Sequence, residues 1–103
     1  MSRRALEAAE ERWPLADPFV ISRGAKTEAR VVVVGITEGD VRGRGECTPY
    51  DRYGETPASV LAQIESVRSR IESGCGRARL QALLPAGAAR NALDCALWDL
   101  KAK

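Results

Sequence analysis

The sequence contains no histidine. Zinc sites and Ser-His or Cys-His nucleophile arrangements normally need an imidazole, so its absence argues against both. Cysteine is nearly as sparse: Cys47, Cys75 and Cys95 form no C-x-x-C pair, and an odd number leaves at least one thiol unpaired. No apolar run is long enough to cross a bilayer and the first residues do not read as a signal segment, so the expected compartment is the reducing cytoplasm. Charge of one sign is also missing. The 16 basic and 14 acidic residues are interleaved, which argues against nucleic acid or an anionic membrane as the main partner, because both select for a one-signed stripe.

What remains is a chain of 103 residues, enough for one domain with a small core that leaves apolar surface in want of cover. Its most unusual stretch is Gly45 to Thr56, Gly-Glu-Cys-Thr-Pro-Tyr-Asp-Arg-Tyr-Gly-Glu-Thr. Exposed loops favour small turn residues, so two tyrosines, several carboxylates and an arginine between glycines suggest a loop on which something docks. An ordinary strand-to-helix connection with surface tyrosines is the other reading, and the residues alone leave both open.

Along the chain, residues 2–12 have the composition of a helix but no clean apolar stripe. Trp13-Pro14-Leu15 should end that element, and Asp17-Pro18-Phe19 should turn the chain again. Val20 to Thr27 reads as a loop with two cations, Arg23 and Lys26, beside Gly24; solvated surface charge and a ligand clamp are both open there. Ala29 to Ile36 is the clearest strand, and its Val31–Val34 run predicts cover on both faces. Glu38-Gly39-Asp40 supplies hairpin chemistry, returning Val41 to Glu46 as a strand. In it, Gly43 and Gly45 make a weak phosphate motif and a better site for close approach of another backbone. Thr56-Pro57 starts a helix whose stripe is Val60, Ile64, Val67 and Ile71, with Gly74 as its C-terminal cap. Arg77 to Leu84 is a second, short helical segment anchored by Leu80, Leu83 and Leu84.

The last segment, Ala88 to Lys103, carries two apolar stripes. One is Ala89, Leu93, Ala96, Leu97 and Leu100; the other, of small residues, is Ala88, Ala92, Cys95 and Ala102. A helix apolar around so much of its circumference should lie between two layers. It also reaches Lys103 without a capping signal, so the expectation is a chain that continues into a further domain.

Pro18-Phe19 with Ile21-Ser22-Arg23-Gly24, the run Glu28 to Val34, Gly45 to Tyr50 with Arg52 to Glu55, and Pro85 to Leu100 together closely resemble the N-terminal domain of the dipeptide epimerases, in the mandelate racemase and muconate lactonizing group of the enolase superfamily. The ending Ala96-Leu97-Trp98-Asp99-Leu100 marks the group, and the Thr48 to Glu55 motif narrows it. The resemblance implies an α+β fold: a three-stranded antiparallel meander followed by helices, capping a C-terminal β/α barrel of the same protein. It makes residues near 4–13 the first strand, against their composition. It implies 1,1-proton transfer at the glutamate α-carbon of a small acidic dipeptide by two lysines, with Mg2+ stabilising the enediolate, all supplied by the barrel and none by these residues. Lys101 and Lys103 do not match the catalytic lysine motif, and Asp40, Glu46, Asp51 and Glu55 lack metal-ligand spacing.

The resemblance gives this domain specificity, through loops matching Phe19–Thr27 and Cys47–Glu55. Arg23 is the candidate for the substrate's side-chain carboxylate, since a guanidinium holds a carboxylate through two parallel hydrogen bonds. Phe19, Thr48, Tyr50 and Tyr53 are candidate lid residues. Alternatives are the cap of a muconate cycloisomerase or acid-sugar dehydratase, and a free-standing binding module using Gly45 to Thr56. A homo-oligomer is compatible with each reading.

Overall fold

The computed structural model describes residues 4–21, 24–49 and 54–103, with the stretches 13–21 and 24–29 as backbone only. Strands β1 (Arg4–Ile21), β2 (Gly24–Glu38) and β3 (Val41–Cys47) pair antiparallel in the order β1-β2-β3. Four helices follow: α1 (Pro57–Ser66), α2 (Arg68–Glu72), α3 (Arg77–Leu83) and α4 (Ala88–Ala102). The expected α+β meander followed by helices is therefore the fold.

Period-two burial sorts the sheet into an inner and an outer face. Val32, Val34 and Ile36 are fully buried on the inner face beside Leu6, and Val60, Ile64, Val67 and Ile71 of the first helices pack into the same core with Leu80, Leu93 and Leu97. Val31 and Val33 point outward and are also buried, as the valine run predicts. Across the strands from Val33 stand Ala9 and Glu46, and Arg42 lies over Gly35 on the same face while reaching Glu7 at 3.5 Å. Long side chains whose stems cover apolar surface protect this outer face.

Along β1 and β2 one expectation is borne out and two are corrected. The residues near 4–13 are strand, as the resemblance implies against their helical composition, because pairing Leu6 with Ile36 and Ala8 with Val34 places them on the core and tertiary burial outweighs propensity. Pro14 does not end the strand: β1 runs on to Ile21, with a register shift between Pro14 and Phe19. An edge strand tolerates this because the missing N–H costs no ladder bond on its open side. Val20 to Thr27 is not wholly loop, since Phe19 pairs with Lys26, Val20 with Ala25 and Ile21 with Gly24. The Gly39-Asp40 turn joins paired Glu38 and Val41, with Gly39 at φ +62°, as two-residue hairpins require of a first central residue.

The single helix predicted from Thr56 to Gly74 is divided at Val67 (φ −111°, ψ 4°), which stays buried, so its apolar stripe is continuous. Thr56 opens it with a reciprocal capping pair: its hydroxyl accepts from the Ser59 N–H at 3.0 Å and its own N–H donates to Ser59 Oγ at 2.9 Å. Gly74, at φ +105°, closes it. The N–H of Cys75 donates to the Arg70 carbonyl and that of Gly74 to the Ile71 carbonyl, the paired arrangement that ends helices on a left-handed glycine.

Helix side chains cover both open edges of the sheet. On β1, the Leu6 N–H donates to Glu72 at 2.9 Å and the Leu6 carbonyl accepts from Arg68. On β3, the Arg44 N–H donates to Asp99 at 2.8 Å and the Arg42 carbonyl accepts from Lys103 at 3.0 Å. Edge groups left open would template pairing with another chain. The Arg44 N–H, with Lys103 adding its charge, holds the Asp99 carboxyl below the usual range. A lowered folded pKa means stability that is present above the ordinary carboxylate range, near pH 4, and is lost as pH falls through the lowered value. Asp99→Ala is therefore expected to lower Tm at pH 7, by a margin that closes in acid; thermal melts across pH check this.

The thiols are free and differ in access: Cys47 is buried, Cys75 half-buried and Cys95 exposed. Burial, with Glu55 and Cys95 nearby, pushes the Cys47 thiol up to about 11. In a thiol titration of the native chain, Cys95 should react first, Cys75 more slowly, and Cys47 only after unfolding.

Candidate functional site

Cys47, the last residue of β3, pairs with Val32, so the connection that begins at Thr48 leaves the sheet where β1 and β2 continue without a third strand. Helix α4 brings its first turn to the same end. It runs antiparallel to β3 in close backbone contact: a Cβ on Gly45 would stand 2.0 Å from the Ala92 carbonyl oxygen, and one on Gly43 2.2 Å from that of Ala96. The close approach read from these two glycines is thus made by α4 itself. Its small-residue stripe divides accordingly, with Ala92 buried on β3, Ala88 half-buried, and Cys95 and Ala102 exposed. The β1–β2 ribbon therefore extends past Cys47 at the end of the domain where α4 begins, and Thr48 and Pro49 leave β3 there.

A contact unforeseen from the residues ties this end together. Gly87, the residue before α4, has no side chain to cap the helix, and the Glu55 carboxylate takes that place, accepting from the Ala88 N–H at 2.8 Å. Helix starts carry unsatisfied N–H groups and favour negative charge. The sequence signal was present but indirect: a helix opening after Pro-Ala-Gly offers no Ser, Thr, Asp or Asn cap, which implies an acceptor from elsewhere. A cleft of about 570 Å3 adjoins the contact, lined by Gly54, Glu55, Ser59, Gln63, Ala86 and Gly87.

Of the candidate residues, Thr48 is exposed at the start of this connection, and the backbone of Phe19 pairs with Lys26 in the ribbon. Arg23, Tyr50 and Tyr53 lie outside the described residues, as does Asp51. Among the described residues no group of three metal-ligating side chains comes together. Several carboxylates have structural partners instead: Glu55 holds Ala88, Glu72 holds Leu6, Asp99 holds Arg44, and Asp94 receives Arg77 through two contacts of 2.8 and 3.1 Å. Lys103 is engaged by Asp99 at 3.0 Å.

The outer flank of α4 carries Trp98, 57% exposed and the one large exposed hydrophobic residue among those described. The Arg77 guanidinium stacks 4.5 Å from its ring centre while bonded to Asp94, and Cys95 lies beside them in a shallow cleft. A planar cation on an indole face with a carboxylate behind it makes a rigid, amphipathic patch.

Comparison with known proteins agrees with this architecture. Residues 3–103 match the mandelate racemase / muconate lactonizing enzyme N-terminal domain family. L-Ala-D/L-Glu epimerase of Escherichia coli (strain K12) is 62% identical over 100 residues, which are 97% of this chain and 31% of that protein. N-acetyl-D-glutamate racemase of a Pseudoalteromonas species is 43% identical over 76 residues, 71% of this chain and 24% of that protein. Among solved structures, an enolase family member from Agrobacterium tumefaciens with homology to dipeptide epimerases, holding sodium and L-Ala-L-Glu, superposes with a TM-score of 0.91 at 51% identity, covering 97% of this chain and 31% of that one. The chain thus spans about a third or less of the length of these relatives. It belongs to the mandelate racemase and muconate lactonizing enzyme family, as that family's N-terminal domain.

Proposed function

We propose that this domain is the substrate-capping, specificity-determining part of a cytoplasmic dipeptide epimerase that inverts the glutamate α-carbon of L-Ala-D/L-Glu, with a C-terminal β/α barrel supplying the chemistry. The observation that carries the reading is the 62% identity to L-Ala-D/L-Glu epimerase across 97% of the chain. The extension of the β1–β2 ribbon past Cys47 at the end where α4 begins supports it, because a lid needs its contact segments on one side.

The two relatives named for their substrates share a chemical theme: L-Ala-Glu and N-acetylglutamate are both glutamates with an acylated amine. The side-chain carboxylate is the feature a specificity domain must recognise in either, and Arg23 is proposed for that role. Phe19, Thr48, Tyr50 and Tyr53 are proposed to line the lid and to exclude water, which strengthens polar contacts within. The described residues do not fit a magnesium site, since their carboxylates are dispersed over the fold; on this reading the metal and both lysines belong to the barrel. The chain by itself is then inactive.

The reading is tested by giving the full-length protein L-Ala-L-Glu in D2O and following exchange of the glutamate α-proton, with N-acetylglutamate, muconate and sugar acids as competitors. Exchange and inversion of the dipeptide support it; turnover of muconate or a sugar acid alone overturns it. If the barrel covers the α4 flank, Cys95 reacts rapidly in the 103-residue chain and slowly in the full-length protein. Equal rates would contradict that docking.

A further inference from the structure

We propose that the groove between the start of α3 and the C-terminal half of α4, with Trp98 as its anchor, seats the segment of the full-length protein that directly follows Lys103. The inference rests on the reading of this chain as a domain with a further domain behind it, and it names the surface that receives the continuation. Asp94, Leu97, Trp98 and Lys101 recur at helical spacing along α4. They line two clefts that share Arg77 of α3. One, of about 680 Å3, runs along Leu97, Leu100 and Lys101; the other, of about 240 Å3, holds Asp94, Cys95 and Trp98. Trp98 is 57% exposed and yet held in place. The Arg77 guanidinium lies 4.5 Å from its ring centre, and Asp94 holds that guanidinium through contacts of 2.8 and 3.1 Å. An indole already fixed loses little freedom when it is covered, and Trp and Arg are the side chains that most often dominate an interface. Leu100, in the last turn of α4, is only half-buried, so apolar surface continues beside the indole.

Two observations select the occupant. The matching family is an N-terminal domain, and the match covers 31% of the Escherichia coli epimerase and 31% of the Agrobacterium tumefaciens enolase family member, so most of each relative lies outside it. The groove also lies where such a continuation begins. Lys101 lines it, and Lys103 stands five residues beyond Trp98, roughly 7.5 Å along a helix axis. A segment tethered there meets the groove at an effective concentration on the order of millimolar, an advantage that neither a free partner nor a second copy has.

The test is amide hydrogen exchange, read by mass spectrometry, on the full-length protein. The amides that follow Lys103 should be protected in the parent and should exchange roughly tenfold faster in Trp98→Ala, because local opening becomes easier as packing contacts are lost. The amides of α1 should keep their parental rates. Trp98→Phe, which leaves an apolar ring in the cleft, should stay within about threefold of the parent. Asn91→Ala, on α4 but outside both clefts, should leave the segment as protected as before. If Trp98→Ala does not fold, Arg77→Ala serves, since it frees the indole and should quicken the same amides severalfold. An unprotected segment in the parent, equal quickening of α1, or no change in the variants that fold overturns the proposal. So does a change that tracks the dissociation of oligomers on dilution, which would make a second copy the occupant. Exchange is read without substrate, so a parent that does not turn over L-Ala-L-Glu overturns the functional reading while the exchange rates still decide this one.

Discussion

Gly45→Ala is expected to unseat α4 from the sheet. The new Cβ would stand 2.0 Å from the Ala92 carbonyl oxygen and 2.9 Å from the Ala96 nitrogen, and both are backbone atoms of a helix that cannot rotate them away. Overpacking a core costs about 1–3 kcal/mol when side chains can adjust, and more when they cannot, so a loss of about 3 kcal/mol or more is predicted by urea unfolding. The damage should spread, because lifting α4 also withdraws Asp99 from the Arg44 N–H and Lys103 from the Arg42 carbonyl, reopening the edge of β3. Gly76→Ala is the control: nothing lies within 4 Å of a Cβ there, and the change should cost less than about 1 kcal/mol. Equal destabilisation by the two would show that the close approach at Gly45 does not matter.

The largest expected effect on activity is at Arg23. In the full-length protein Arg23→Ala should raise the barrier for L-Ala-L-Glu by roughly 2–5 kcal/mol, the usual consequence of stripping one partner from a buried charge pair. That corresponds to a fall in kcat/KM of roughly 30- to 5,000-fold. Arg23→Lys should recover only part of it, since an ammonium cannot form two parallel hydrogen bonds to a carboxylate. A dipeptide with an uncharged second residue should lose little with either variant. Steady-state kinetics on the two dipeptides distinguish these outcomes, and wild-type kinetics in Arg23→Ala would remove the residue from the proposal.

Local signals were legible where short-range physics decides the structure. The valine run of β2, the Glu38 to Asp40 turn, the Thr56 cap, the Gly74 stop and the apolar stripe of the first helices all state their structure within a few residues. β1 was not legible in the same way. Residues 4–12 favour helix by composition, and only pairing with β2 makes them strand, so resemblance rather than propensity identified them. Pro14 was misleading for the complementary reason: its effect depends on whether the strand is central or at an edge, which is a property of the sheet. The break at Val67 is likewise absent from a stripe that continues through it.

The same distinction holds for the candidate site. Gly43 and Gly45 announced close packing, but the partner, α4, lies about 50 residues further along the chain. Glu55 was an unassigned carboxylate until the fold brought Ala88 to it. The edge clamps, Arg68 and Glu72 on Leu6, Asp99 and Lys103 on β3, join groups 55 to 66 residues apart, a separation at which no local pattern operates. Arg23 is different again: the argument for it is chemical, a guanidinium for a carboxylate, and it stands or falls by kinetics.

The most direct test of the account is the fate of the glutamate α-proton when the full-length protein is incubated with L-Ala-L-Glu in D2O. The prediction is deuterium at that carbon and the appearance of L-Ala-D-Glu, with the reverse from L-Ala-D-Glu. An active preparation that leaves both dipeptides protonated and unchanged would contradict it.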